Sequence, residues 1–311
     1  TPRGQKVLNM LRETGSAPMR QKSYLPTLKN FILGVEDKVM NAIHNGLAIR
    51  CLLFTLCFVA TPSFAQINLH APFDQLLQKH VVAINDGKST QVDYAALAKD
   101  KSELDGYLSA LAAIDTATFA GWNKDRQLAF LINAYNAYTL ALIIEHYPDI
   151  GSIRDIGGFF SSPWKQAFAP LLGKTRTLDN IEHGLIRGDN KYQEPRIHFA
   201  VNCASIGCPA LREEAYTEAK LSQQLESQTQ RFLSDNSRHY IEGNTLKVSK
   251  IFDWYRDDFE APWRGATSLN GFLLLYVSAL DLTEAQQRAL RAGTLNIGFS
   301  DYDWALNDRA K

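Results

Sequence analysis

Asp125 to His146 reads D-R-Q-L-A-F-L-I-N-A-Y-N-A-Y-T-L-A-L-I-I-E-H, with Pro148 two residues further on. Leu128, Phe130, Leu131, Ile132, Ala134, Ala137, Leu140, Leu142 and Ile143 leave little of a helical circumference polar, so the stretch predicts a central helix buried on most sides. Pro148 stops it. Asn133 and Asn136 stand three apart and share a helix face. A buried amide without partners costs roughly 1–3 kcal/mol. The pair therefore either bonds to the backbone of a neighbouring loop or enters a site directly, and an amide that ties down an active loop does both.

Such a helix needs other layers to cover it, and the flanking sequence supplies them. Pro195 to Arg212 reads P-R-I-H-F-A-V-N-C-A-S-I-G-C-P-A-L-R. Ile197, Phe199 and Val201 alternate with His198, Ala200 and Asn202, a period of two that predicts a strand over Ile197 to Asn202. His198 and Asn202 would then share a strand face. Gly207 and Pro209 mark the loop that follows. Leu178 to Arg187, L-D-N-I-E-H-G-L-I-R, predicts a helix capped by Thr177. Its apolar face is Ile181, Leu185 and Ile186, and its polar constellation is Glu182, His183 and Arg187.

Helices are also expected from Phe73 to Val81, Ala95 to Lys99, Leu104 to Leu111, Thr217 to Leu233, Ile251 to Phe259, Leu269 to Leu280 and Leu282 to Ala292, the last capped by Thr283. Gly87 to Thr90 and Gly151 to Pro163 read as loops, the second with Phe159, Phe160 and Trp164 beside it. Hairpins are expected at Phe168 to Leu178 and, around Gly243-Asn244, at His239 to Val248. The fold class is α+β: one mostly helical domain over residues 66–311, with a small, mainly antiparallel sheet that includes Ile197 to Asn202.

The chain has 311 residues, with 33 Lys+Arg against 33 Asp+Glu and a formal net charge of +0. That balance supplies no electrostatic reason to expect nucleic acid. No G-x-G-x-x-G, G-x-x-x-x-G-K or H-E-x-x-H motif occurs, so nothing cradles a nucleotide phosphate or signals a zincin. Cys51 to Ala60, C-L-L-F-T-L-C-F-V-A, follows His44 and Arg50 and precedes Ser63-Phe64-Ala65. This is the pattern of a secretory signal, 40–65, cleaved after Ala65 and leaving no stable membrane anchor. Residues 1–39 would be an upstream extension, and the product periplasmic or secreted. Of 4 Cys, only Cys203 and Cys208 lie beyond that signal.

Phe130 to Thr139 (F-L-I-N-A-Y-N-A-Y-T), Leu178 to Arg187, Pro195 to Pro209 and Tyr302 to Asn307 (Y-D-W-A-L-N) together resemble the domain-of-unknown-function 547 family. The resemblance runs from about Asp93 to the C-terminus in the same order. It implies a bacterial exported protein with relatives in plants, and more about fold than activity. In the plant relatives the position matching Cys208 tends to be serine while that matching Cys203 stays cysteine. That weighs against a required Cys203–Cys208 disulfide and against a zinc site on the two cysteines.

The residues themselves leave three functions open. In the first, Cys203 is the nucleophile of an enzyme acting on an amide, ester or thioester. His183 or His198 would be the base, with His183 preferred, and Glu182 the orienting carboxylate. Backbone N–H groups of Ala204 to Gly207 would form an oxyanion hole. Asn202, Asn133, Asn136, Arg196, Arg187, Ser205 and Cys208 would support the site, and Arg196 is free to pair with Glu182. The substrate would be a small molecule or peptide, with no cofactor and no metal. In the second, Cys203 and Cys208 join one or both histidines around zinc. In the third, the chain is a non-enzymatic binding or scaffold module closed by a Cys203–Cys208 disulfide.

The signal pattern carries its own test. Mass spectrometry of the protein isolated from its native host is expected to find a mature N-terminus at Gln66. A peptide from residues 1–39 in the mature product would contradict it.

Overall fold

The computed structural model describes residues 68–157 and 162–310. The upstream extension, the signal segment, Phe159 and Phe160 lie outside the described residues.

The central helix runs Lys124–His146, with the Asn123 side chain accepting the Arg126 N–H at its start. Burial extends around it, from Gln127 through Leu140 without a break. Although it is long and apolar enough to cross a membrane, 94% of its most apolar stretch is covered by the rest of the protein. Its cover comes from Ala71–His80, Lys101–Ala112 and the segments around Leu178, Ile197 and Tyr216. A second apolar cluster gathers Phe199, Phe232, Phe252, Phe259 and Phe272. Phe199 stacks at 5.0 Å on Phe232 and 5.7 Å on Phe259. Ile197, Ala200 and Val201 belong to the first cluster, so the stretch from Pro195 to Val201 joins the two.

That stretch is not a strand. Pro195–Phe199 is a short 3-10 helix, begun by Pro195 and by the Glu194 side chain, which accepts the Arg196 N–H. The alternation reads as a half-buried strand only if every second residue meets water. Here Arg196 and His198 are buried as fully as Ile197 and Phe199, because each polar head finds an ionic partner inside. Proline at the first position, with φ preset and no N–H to offer, favours the helical turn.

The β structure is three small sheets instead of one. β1 (Val81–Ile84) and β2 (Ser89–Val92) form an antiparallel hairpin where a loop was expected. Its turn places Asn85, Asp86 and Gly87 at φ of 53, 53 and 80°, the left-handed region these residue types tolerate. β3 (Ala169–Leu171) and β4 (Lys174–Arg176) form the expected hairpin. β5 (Tyr240–Glu242) and β6 (Thr245–Val248) pair antiparallel around Gly243-Asn244, also as expected. β7 (Asn296–Phe299) adds to β6 in parallel, with Thr245 opposite Asn296 and Val248 opposite Phe299. Parallel neighbours need a long crossover. The helices Ile251–Trp254, Arg256–Glu260, Leu269–Leu275 and Glu284–Arg291 supply it. The last carries Thr283 in a capping box with Gln286. The α+β reading therefore holds.

Asn133 and Asn136 bond to backbone. Asn133 Nδ2 donates to the Tyr216 carbonyl at 2.8 Å, and its Oδ1 accepts the Tyr216 N–H at 2.9 Å. Asn136 Nδ2 donates to the Ala200 carbonyl and its Oδ1 accepts the Asn202 N–H, both at 2.9 Å. Each substitution to alanine strands a buried carbonyl and a buried N–H. We expect Asn136→Ala and Asn133→Ala each to lower unfolding stability by roughly 1–3 kcal/mol in urea denaturation.

Acid sensitivity follows from two histidines, the buried His239 and the half-buried His70. Both ring nitrogens of His239 lack partners, and burial, with Arg238 beside it, pushes its pKa down to about 3. Burial, with Arg126 nearby, lowers His70 to about 4. In the unfolded chain both take a proton near pH ~6.5. Between that pH and the folded values the unfolded state binds more protons, so stability falls as pH falls. Thermal unfolding is expected to be insensitive to these groups at pH 7–8 and to weaken from pH 6.5 toward 4. His239→Leu should flatten that slope.

Candidate functional site

The expected helix around Glu182 is wound wide. Asn180–Ile186 is a π-helix, with the Arg187 N–H reaching the Glu182 carbonyl at 2.9 Å. A Cβ at Gly184 would stand 2.6 Å from Asn180 Nδ2, so glycine lets the turn close. Such turns are frequent at functional sites because they re-aim side chains. The expected cap is present, with Thr177 Oγ1 accepting the Asn180 N–H.

This turn faces the loop that carries the cysteines. Asn202 staples that loop: its Nδ2 donates to the Pro209 carbonyl and its Oδ1 accepts the Ala204 N–H, both at 2.8 Å. Ala204 takes φ of 61°, a conformation that a non-glycine residue adopts only when its surroundings hold it there. The C-terminal segment runs alongside. Ala305 and Asp303 carbonyls accept the Ile206 and Gly207 N–H groups at 2.8 Å, and the Asn307 N–H donates to Ala204. Cys203 and Cys208 are joined as a disulfide, with Cα atoms 6.3 Å apart. Cys203 is half-buried, whereas Cys208 is buried. Tyr302 Oη lies 3.2 Å from Cys203 Sγ, 3.1 Å from Cys208 Sγ and 2.9 Å from Ser205 Oγ. Gly207 lies flat on the Tyr302 ring, where a Cβ would meet it at 2.9 Å. Burial pushes the Tyr302 phenol well above its ordinary value, so it stays protonated and able to donate.

A cavity of about 260 Å³ opens beside the sulfurs. Cys203, Cys208, Glu182, His183 and His198 all line it. Its walls are aromatic: Trp164, Trp254, Tyr255, Tyr302 and Trp304. Trp254, Tyr302 and Trp304 touch one another, with ring centres 4.5–5.6 Å apart.

Within the cavity the expected roles rearrange. No histidine is hydrogen-bonded to Cys203 Sγ, whose polar neighbours are Tyr302, Ser205 and Cys208. Glu182 orients no histidine, because its Oε1 accepts the Tyr255 hydroxyl at 2.6 Å. His183 Nδ1 meets Arg187 Nη1 at 2.6 Å. A guanidinium only donates, so Nδ1 is the acceptor and Nε2 carries the proton. His183 thus offers the cavity a donor, the opposite of a base. His198 Nε2 lies 2.7 Å from Asp258 Oδ2, and its ring stacks on Tyr255 at 3.9 Å. Burial holds His198 below its usual value. Burial alone would raise Asp258, but the His198 and Arg187 hydrogen bonds bring it well below the carboxylate range. Arg187 closes that network, with Nε 2.7 Å from Asp258 Oδ2.

Of the loop amides expected to form an oxyanion hole, the N–H groups of Ala204, Ile206 and Gly207 are committed, to Asn202, Ala305 and Asp303. Arg196 stands apart from the cavity, paired with Glu194 at 2.6 Å and Glu226 at 2.8 Å, so it does not meet Glu182. Asn133 anchors Tyr216, while Asn136 and Asn202 hold the cysteine loop from behind. The histidines face Arg187 and Asp258, and among the described residues no group of three or more His, Cys, Asp or Glu is placed to hold a metal ion.

Sequence reasoning did not place Tyr302, Tyr255, Asp258, Asp179, Trp254 or Trp304 in the site. For all of these but Asp179 the signal was present in I-F-D-W-Y-R-D-D-F (Ile251 to Phe259) and Y-D-W-A-L-N, two segments unusually dense in aromatic and acidic residues.

No curated protein and no solved structure matches the chain. Residues 119–233, which carry the central helix, Glu182, His183 and the cysteine loop, are similar to the family described as Protein of unknown function, DUF547.

Proposed function

We propose that this chain is an exported cysteine-nucleophile enzyme, a hydrolase or acyl transferase acting on an amide, ester or thioester through Cys203 in its reduced form. One observation carries the reading: the half-buried Cys203 sulfur opens on an aromatic cavity while two hydroxyls, Tyr302 and Ser205, lie against it. Hydroxyl donors favour a thiolate over a thiol and lower its pKa. The Arg238 guanidinium, ion-paired with the buried Asp235, donates to the Cys208 carbonyl at 3.0 Å and ties the loop down from behind.

The reduced Cys203 thiolate adds to the carbonyl carbon. His183 Nε2–H and the Tyr302 hydroxyl supply hydrogen-bond donors within the cavity where charge grows on oxygen. The leaving amine, alcohol or thiol departs with a proton from water, and the acyl group stays on sulfur. Attack by water, or by an acceptor amine or alcohol, releases the product and restores the thiol. Export, read from the Cys51 to Ala60 segment, places this chemistry in the periplasm or outside the cell.

One observation favours a second reading, a binding module that keeps the disulfide: the two sulfurs are bonded to each other. A thiol count on protein isolated from the native host separates them, with two free thiols for the enzyme and none for the module.

In the reduced protein, iodoacetamide at pH 7 is expected to label Cys203 ahead of Cys208. Cys203→Ser should abolish turnover of an aryl ester and thioester panel, while Cys208→Ser retains most of it. Equal loss of thermal stability in both variants, without selective labelling, would remove the enzyme reading. Tyr302→Phe removes one donor to a charged sulfur, worth about 1.5–3 kcal/mol, and so should slow alkylation at pH 7 about tenfold or more. The two rates should converge at high pH, where both thiols are ionised.

A further inference from the structure

The cavity beside Cys203 is built to receive positive charge. Its ionisable lining is Asp179, Glu182, His183 and His198, together with the tyrosines and cysteines already described. Among the described residues no Lys or Arg lines it. Glu182 is 4% exposed, and among the described residues no cation pairs with it. Tyr255 donates a neutral hydroxyl to it at 2.6 Å. The Arg187 guanidinium, nearby, is committed to Asp258 and His183. A buried carboxylate is normally paired with a cation, because its desolvation is otherwise uncompensated.

A second observation points the same way. The Asp258 carboxylate is acceptor-only, so His198 Nε2 carries the proton and Nδ1 is left as an acceptor. That Nδ1 is buried and has no hydrogen-bond partner, in an imidazole that lines the cavity. Glu182 thus has only neutral hydroxyl partners, Tyr255 and Tyr135, and no cation among the described residues, while His198 Nδ1 has no partner at all.

The walls are a third. Trp164, Trp254, Tyr255, Tyr302 and Trp304 present ring faces, which attract cations through their quadrupoles. Two of these rings already hold a protein cation at the rim: Arg154 lies 5.1 Å over Trp304 and Arg187 lies 4.9 Å over Tyr255. Trp254, 45% exposed, extends the wall to the surface.

We infer that the cavity binds a protonated amine, held by Glu182 and Asp179 against the tryptophan faces. The volume of about 260 Å³ corresponds to roughly nine water-sized groups. It therefore takes an ammonium-bearing head, not a whole polymer. This deepens the enzyme reading by naming the substrate class: an acyl compound that carries an amine near the scissile carbonyl. Binding of the cation needs no reactive sulfur, so it stands or falls separately.

The test uses the mature protein with its disulfide intact, and the Cys203→Ser protein in parallel. Benzylammonium, benzyl alcohol and benzoate are titrated and read by tryptophan fluorescence and calorimetry. Benzylammonium is expected to bind at least tenfold tighter than benzyl alcohol, benzoate weakest of the three, and the preference to shrink as salt is raised. Glu182→Gln should remove most of the ammonium preference while its thermal transition persists, and Asp179→Asn should reduce it in part. Equal affinity for the ammonium and the alcohol, or tighter binding of benzoate, overturns the inference whether or not the variants fold. So does an unchanged preference in folded Glu182→Gln. Success of the alkylation experiments with failure here would leave the nucleophile standing and reject the amine. The reverse would reject the nucleophile alone.

Discussion

The carboxamide of Asn136 is bonded along both edges, to the Ala200 carbonyl and to the Asn202 N–H. It projects from the middle of a helix that is buried around its circumference, so it cannot move without moving the core. The chain is therefore pinned at the residue immediately before Cys203. A slip of one residue would strand a buried N–H and a buried C=O, each costing about as much as a lost hydrogen bond. Asn133, one turn earlier, pins Tyr216 in the same way. Two amides on one helix face thus set the position of two loops relative to the core.

From that anchor the sulfur loop is built outward. Asn202 closes it from within, and residues 303–307 close it from without by running alongside. The consequence is chemical as well as mechanical. The backbone donors that would otherwise face a substrate are spent on holding the loop, and side-chain hydroxyls stand against the sulfurs in their place. Gly207 admits the Tyr302 ring that brings one of those hydroxyls into contact.

Two carboxylates near the cavity are treated in opposite ways. Asp258 is surrounded by Arg187 and His198 and is kept ionised by their hydrogen bonds. Glu182 receives the Tyr255 and Tyr135 hydroxyls and, among the described residues, pairs with no cation. The first organises both histidines, fixing each tautomer through acceptor-only and donor-only partners. The second leaves negative charge facing aromatic walls. Neither role belongs to the residue type. Each follows from which neighbours the packing brings within about 3 Å.

Local pattern was enough for much of this protein. The helix at Lys124–His146, the hairpins at Gly173 and Gly243-Asn244, the caps at Thr177 and Thr283, and the segments carrying Glu182, His183 and Cys203 all rest on interactions between near neighbours. The hairpin at Asn85-Asp86-Gly87 is equally local, but its strands are only four residues each, too short for a period-two pattern to stand out. The strand reading of Ile197 to Asn202 failed for a different reason. Alternation reports a water-facing side only when polar residues lack partners inside, and Arg196 and His198 find theirs on Glu226 and Asp258, 30 and 60 residues away. The partners of Cys203 and Glu182, Tyr302 and Tyr255, are likewise 99 and 73 residues distant. By itself the sequence determined most of the helices, two of the hairpins and which residues can do chemistry, because those depend on spacing of a few residues. Only the tertiary structure decided which donor meets which acceptor, because those distances are set by how the helices, sheets and loops pack together.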